Sequence, residues 1–356
     1  MSPTPTRTPA RPWSALLVAV LALPLLGVGP STPATAAPAP LPEAAAPTLR
    51  VATYNIRCAN CSLNSRINSR EKNWETRRAK VVAQIKAEKV DVIGLQEASQ
   101  GLLRGTKISQ FDDLVHRLGA PYALTNDKRY GCVKSTSYKN CVKDDNGASG
   151  GVRIVYNTNR LTLLGQGSKQ LDNEAATSGP RFVAWARFRD RASKREFFYA
   201  TAHTEPGQTK AIWALRKQQA AKIAAAIRAN NPRGLPVVLT GDFSSTKLTA
   251  VNSVYDVLMK SGLVVDPLGN THRMRTTSRA TAGKLINVRY NTLNGFKSKP
   301  TTHPGYALGA HLDYVFASRS VRVLEYKVVV DLTSSGRFSG VIPSDHNMVR
   351  ATIRLS

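Results

Sequence analysis

The chain has 356 residues, 42% of them hydrophobic, enough for one large folded domain or two small ones. Against 23 Asp and Glu stand 50 Lys and Arg, a formal net charge of +27 that suits a polyanionic partner: nucleic acid, a teichoic-type polymer or an anionic membrane face. That charge alone says nothing of catalysis, and the absence of a second apolar stretch of spanning length excludes a transmembrane core.

The N-terminus reads as an address. Arg7 and Arg11 precede "WSALLVAVLALPLLGVG", an apolar run too short and too broken by Pro and Gly to span a bilayer. "ATA" at Ala34–Ala36 offers a small-x-small cleavage site, so residues 1–36 are expected to be a secretory signal peptide. The Ala/Pro-rich stretch 37–48 then reads as a disordered lead-in to a single domain over 49–356. No Cys follows the cleavage region, so a lipid anchor is not expected and the mature protein should be secreted and soluble. Export permits disulfides, and the four cysteines fall as close pairs, Cys58 with Cys61 and Cys132 with Cys141. Two bridges between sequence neighbours are the simplest arrangement, though spacing leaves the connectivity open. A four-thiolate metal site suits them less, since only one pair has CxxC spacing, and no thioredoxin-like pattern surrounds that pair.

From Leu49 the pattern becomes regular. "LRVATYNIR" predicts a strand, "NWETRRAKVVAQIKAEK" an amphipathic helix with Asn73 as its cap, and "VDVIGLQE" a buried strand, which together make a βαβ-type opening. The middle is strand-rich: "GVRIVYN", "LTLLG", "RFVAWARF" and "REFFYATAH". A long Ala-rich helix follows from about Thr209 to Ala229, broken at "NNPRG". "LPVVLTGDF" predicts a buried strand and "VNSVYDVLMKSG" a short helix. Pro267 to Leu312 reads as a loop with seven basic residues, among them Arg273, Arg275 and Arg279, and no acidic one. "LDYVFAS", "VRVLEYKVVV" and "NMVRATIRL" close the chain as strands.

One arrangement recurs along this series. Buried strands end in Asn55, Glu97, His203 and Asp242; Asp313 opens another, and Asp345–His346 stand in the turn before the last. A carboxylate abutting an apolar strand is costly unless paired or metal-bound, so the strand ends are expected to converge on one site. Hard oxygen ligands, an imidazole and a water-orienting carboxylate are the parts that metal-assisted phosphoryl chemistry needs. Each residue also has a plain structural reading: Glu97 as a solvated strand end, Asp242 as turn chemistry, His203 as a satisfied histidine, Asn55 as a turn bond, Asp313 as an arginine partner.

The motifs "TYNIR", "GLQE", "TAH", "GDFSS", "HLDYVF" and "SDHNMV" appear in an order that resembles the endonuclease/exonuclease/phosphatase family over essentially Leu49–Ser356. That family includes pancreatic-type deoxyribonucleases, abasic-site endonucleases, sphingomyelinases and inositol-polyphosphate 5-phosphatases. The resemblance implies an α/β fold, a four-layered sandwich of two packed mixed β-sheets flanked by helices. It implies Mg²⁺, with Mn²⁺ or Ca²⁺ as alternatives, held by Glu97 with Asn55 and Asp345. Asp242 would orient or deprotonate the attacking water, His346 would contact the phosphate or move a proton, and Asp313 would fix the His346 ring. His203 would be a phosphate-contacting histidine. Three further histidines, His272, His303 and His311, read as surface or loop residues.

Two features depart from the family pattern. Ser244 stands where the family usually has the Asn of "GDFN", and no acidic partner for His203 is found before "GVRIVYN". Ser244 is expected to bind substrate through its shorter hydroxyl. The basic loop, with Arg273, Arg275 and Arg279, suits phosphate backbones, so the expectation is a monomeric, extracellular nuclease of low specificity acting on nucleic acid. The alternatives are a phosphatase or phospholipid phosphodiesterase and, in another class, a polyanion-binding protein inactivated at Ser244. Against a membrane-surface enzyme, no loop clusters exposed aromatics or aliphatics.

Overall fold

Strands that are apolar nearly throughout must be covered on both faces, and the computed structural model shows how. It describes residues 47–128, 149–171, 180–248, 254–269 and 279–356. The strands are β1 (Leu49–Asn55), β2 (Val92–Gln96), β3 (Tyr122–Leu124), β4 (Arg153–Asn157), β5 (Leu161–Leu171) and β6 (Arg181–Asp190). They continue with β7 (Glu196–His203), β8 (Val237–Asp242), β9 (Lys284–Ile286), β10 (Asp313–Ala317), β11 (Val321–Val328) and β12 (Val349–Leu355). Helices are α1 (Cys61–Asn64), α2 (Trp74–Ala87), α3 (Gln110–Leu118), α4 (Lys210–Asn230) and α5 (Val254–Lys260). A seven-stranded sheet has the order β3-β4-β2-β1-β12-β11-β9, and a five-stranded sheet the order β10-β8-β7-β6-β5. Both are mixed: β1–β2, β9–β11 and β7–β8 are parallel, the other pairs antiparallel.

Strand alternation distributes the apolar side chains over three cores. Val51, Val92, Ile154, Tyr199, Val238, Val315 and Ile353 fill the space between the sheets. The neighbours of several of these point the other way: Ala52, Tyr54, Ile93 and Leu95 meet Trp74, Val81 and Ile85 of α2 and Phe111 and Leu114 of α3. On the far side Phe198, Ala200, Leu239 and Phe316 pack on Ile223 and Ile227 of α4 and Tyr255 and Leu258 of α5. The order is helices, sheet, sheet, helices, as expected.

Boundaries moved where long-range pairing outweighs local pattern. β5 runs on to Leu171 because it pairs with β6 along its whole length, with a bulge between Leu163 and Gly165. The basic segment contains β9, which adds to β11 as an edge strand. α2 starts directly after Asn73, whose side-chain Oδ1 accepts from the Thr76 hydroxyl at 3.0 Å and not from a backbone N–H. α4 starts after Thr209, whose hydroxyl accepts from Ile212 N at 3.3 Å.

Toward one end the gap between the sheets narrows and becomes polar. Thr53 Oγ1 donates to Gln96 Oε1 at 3.1 Å, and Gln96 Nε2 donates across the gap to Thr201 Oγ1 at 2.9 Å. The Tyr199 hydroxyl donates to the Ala52 carbonyl at 2.6 Å. Gly94 makes this approach feasible: a Cβ there would lie 2.2 Å from Thr201 Oγ1 and 2.7 Å from Thr240 Oγ1. Gly94→Ala should therefore force the sheets apart and cost about 1–3 kcal/mol, the usual range for overpacking. Thermal and denaturant melts of the variant measure it.

Candidate active site

Strand register gathers the polar strand ends. In the five-stranded sheet His203 of β7 lies opposite Asp242 of β8, and Asp242 lies opposite Asp313 of β10, so the three share one rung. In the facing sheet Asn55 of β1 lies opposite Gln96 of β2, and Glu97 follows immediately. The turn before β12 brings Ser344, Asp345 and His346 to the same end, and Ser344 Oγ donates to the Asn55 carbonyl at 2.6 Å. Gly241 lets β8 reach this rung, since a Cβ there would sit 2.2 Å from the Ala202 carbonyl oxygen.

Asn55 joins the two sheets. Its Nδ2 donates to Glu97 Oε1 at 3.1 Å and to Asp242 Oδ2 at 3.0 Å, while its Oδ1 accepts from Arg57 N. Glu97 Oε2 accepts from Cys58 N at 3.1 Å. Glu97, Arg57 and Ser244 all have positive φ, at 56°, 54° and 47°. Such strain in non-glycine residues persists where the surroundings over-determine it, and here all three line one cleft.

The two imidazoles flank Asp242 Oδ2 at equal distance, with His203 Nε2 and His346 Nε2 each 3.6 Å away. Behind them the settings are opposite. His346 Nδ1 lies 2.8 Å from Asp313 Oδ2. Burial disfavours charge on His346, but Asp313 and Asp242 outweigh it and hold its pKa well above the ordinary value. Burial pushes His203 down to about 4, and the guanidinium of Arg181, 3.2 Å from its Nδ1, adds to that. Burial, with the charge of Glu97, pushes Asp345 up to about 6 against the pull of His346.

The cleft measures about 480 Å³ and is lined by Glu97, Arg181, His203, Asp242, Ser244 and His346, among others, with Arg57, Leu293 and Leu312 at its walls. A divalent ion fits the donor set. Glu97 and Asp345 are carboxylates near enough for the charge of one to raise the other, a repulsion that a hard cation between oxygen ligands would relieve. Asp242, Asp313 and His346 also bring ligand atoms within 4.8 Å of one another, but the 2.8 Å bond already pairs two of them.

A model of the family described as "Endonuclease/Exonuclease/phosphatase family" matches residues 52–346. The chain belongs to the endonuclease/exonuclease/phosphatase family. No curated protein matches it significantly in sequence. Among solved structures it is similar to a family protein from Bacteroides thetaiotaomicron, at TM-score 0.62 and 20% identity, over 87% of this chain and 99% of that one. It is also similar to the mannosyl-6-phosphatase of Bacteroides thetaiotaomicron VPI-5482, at 0.59 and 19%, over 86% and 100%. A third is D. rerio TDP2 complexed with a single-strand DNA product, at 0.52 and 14%, over 86% and 99%. At these identities the likeness shows the shared fold.

Family membership carries with it a hydrolytic, generally divalent-metal-dependent phosphoesterase chemistry, and the expected Asn55, Glu97, His203, Asp242, Asp313, Asp345 and His346 stand together at one end of the sandwich. Ser244 lines the cleft, with its hydroxyl directed to the Thr204 carbonyl at 3.3 Å and its N–H to Asp242 Oδ1 at 2.8 Å. Arg279 is exposed and absent from the cleft lining: Thr281 N and Ala282 N both bond the Pro267 carbonyl, which closes that part of the basic loop on itself. Among the described residues, the loop contributes Leu293 and Leu312 to the cleft. Arg273, Arg275 and His272 lie outside the described residues, as do Cys132 and Cys141. Cys58 and Cys61 form a disulfide at the cleft wall. His311, read as a surface or loop residue, is buried, with Nε2 2.9 Å from the Val288 carbonyl. Arg181 and Arg57 were missed. The β6–β7 hairpin register, pairing Val183 with Ala202, was the signal that would have set Arg181 beside His203.

Asn is the non-glycine residue best suited to a left-handed backbone, so Ser244→Asn should relax the strain at φ 47° and raise stability by up to about 1 kcal/mol. Retained turnover and a raised melting temperature are the expected readouts. Asp313→Asn removes the charge that keeps His346 protonated and should cost about 3–5 kcal/mol. A raised histidine pKa stabilises fully below the unfolded value of about 6.5 and ceases to do so as pH rises through the folded value. The deficit should therefore be largest near roughly pH 6 and shrink in alkaline melts.

Proposed function

We propose that the protein is a secreted, divalent-metal-dependent phosphodiesterase that hydrolyses nucleic acid with little sequence specificity. The observation that carries the reading is the Asp242 carboxylate held between two imidazoles of opposite character, beside a pair of oxygen donors at Glu97 and Asp345. Glu97 and Asp345 would hold the ion, with Asn55 bracing Glu97; when bound, it supplies Lewis-acid polarisation of a phosphoryl oxygen. Asp242 orients a water for in-line attack and accepts its proton. Protonated His346, steadied by Asp313, sits where charge builds on the phosphoryl group and can return a proton to the leaving oxygen. Arg57 and Arg181 put guanidinium groups in the cleft wall, and the net charge of +27 supports a polyanionic substrate. Secretion rests on the N-terminal sequence and accords with the disulfide.

A second reading, a phosphatase or phospholipid phosphodiesterase, draws on the exposed Leu63 and Ile67, which follow the disulfide, and on Leu293 at the cleft. The mannosyl-6-phosphatase likeness also lends it support. Assays with Mg²⁺, Mn²⁺ and Ca²⁺ against plasmid, RNA, phospholipid and phosphomonoesters separate the readings. Plasmid or RNA cleavage should dominate, and Glu97→Gln or chelation should lower it by about 10²–10³-fold, comparable to loss of a principal transition-state stabiliser. Full activity in excess chelator would overturn the metal role, and turnover confined to phospholipid or phosphomonoesters would overturn the nucleic-acid assignment.

A further inference from the structure

The guanidinium of Arg181 occupies the place behind His203 where an acidic partner was sought. Its Nη1 lies 3.2 Å from His203 Nδ1. A guanidinium has N–H groups to donate and no acceptor, so this contact requires a bare lone pair on Nδ1. A neutral imidazole with Nδ1 bare carries its proton on Nε2, the nitrogen that faces Asp242 and the cleft. We infer that Arg181 is a positioning residue that fixes His203 as the neutral Nε2–H tautomer, making it a fixed hydrogen-bond donor to a phosphoryl oxygen and not a carrier of protons. The part concerning the phosphoryl oxygen rests on the phosphoesterase reading of the site.

Arg181 is itself held. Its Nε donates to Glu205 Oε2 at 2.9 Å. Glu205 is buried, with its N–H bonded to Gln219 Oε1 and its carbonyl to Arg216 Nη1, both at 2.9 Å. The side chain therefore has one direction in which to present Nη1. A carboxylate in the same place would have the reverse effect: it would draw the proton to Nδ1 and leave Nε2 as an acceptor toward substrate. His346 has such a carboxylate, Asp313, behind its Nδ1, and in its protonated form it has an Nε2 proton to give up. The two imidazoles thus divide the work, with proton movement assigned to His346 and a constant N–H to His203. Burial and the Arg181 charge, which together depress His203 to about 4, act in the same direction.

Long-range ¹H–¹⁵N correlation spectra of the protein carrying ¹⁵N-histidine read the tautomer directly, with His203→Gln assigning the signal. Wild-type protein at neutral pH should show Nε2 protonated and Nδ1 bare. Arg181→Met should lose that pattern, whereas Arg181→Lys, which also only donates, should keep it. In steady-state assays Arg181→Met should lower kcat about 10- to 100-fold, the usual effect of removing a group that orients a functional histidine, with KM little changed and Arg181→Lys recovering part of the loss. A wild-type Nδ1–H tautomer, a wild-type imidazolium, or an unaltered tautomer in Arg181→Met would overturn the inference. The wild-type spectrum decides the matter even where Arg181→Met does not fold. Because the spectrum needs no turnover, inertness toward every phosphoester would overturn the proposed function and leave the tautomer standing.

Discussion

The site depends on one amide. Asn55 ends a strand of one sheet and spends both N–H groups on carboxylates, Glu97 of its own sheet and Asp242 of the other. Without that bridge, two negative charges would face each other across the seam between the sheets. The seam can be so narrow at this end because Gly94 has no side chain and because Thr53, Gln96 and Thr201 satisfy one another as they close. Apolar packing sets the distance between the sheets farther along, and polar pairing sets it at the site. The catalytic rung is therefore a property of how two sheets meet more than of any single loop.

Within that frame, chemically identical side chains are given different characters. His203 and His346 stand equally far from Asp242, yet a guanidinium stands behind one and a carboxylate behind the other. Environments that push two titratable groups apart are how one site holds an acid and a neutral donor at the same pH. The strained backbones of Arg57, Glu97 and Ser244 fit the same picture of groups held where the chemistry needs them and not where local preference would leave them.

Much of this was legible in the sequence, for a physical reason. Strands buried on both faces show as apolar runs, and a lone polar residue closing such a run has few explanations, so Glu97, His203 and Asp242 stood out. β9 was hidden because an edge strand of three residues need not be apolar. The full length of β5 was hidden because its Gly, Gln and Lys residues are held by β6 and not by their own propensity. Arg181 was hidden because its partner is twenty-two residues away and only the hairpin register joins them. Which way Arg279 faces was not legible, because charge along a loop carries no direction; it stands exposed, outside the cleft lining. The exposed Leu63, Ile67 and Leu293 escaped notice because they are scattered in sequence, with Asn68 bonding the Gly295 carbonyl to tie their two loops together.

The seam between β1 and β12 has a consequence for how the molecule is made. β12 sits in the middle of the seven-stranded sheet, against β1 on one side and β11 on the other, although it follows every other described strand in the sequence. Until it emerges, β1 has an open edge and the sheet is divided in two. Contacts of such sequence separation are slow to form and leave unpaired edges exposed meanwhile. Asp345 and His346 arrive with the same segment, so sheet completion and site completion are a single event. A ribosome-bound or truncated chain lacking those residues has neither a closed sheet nor the parts of a catalyst.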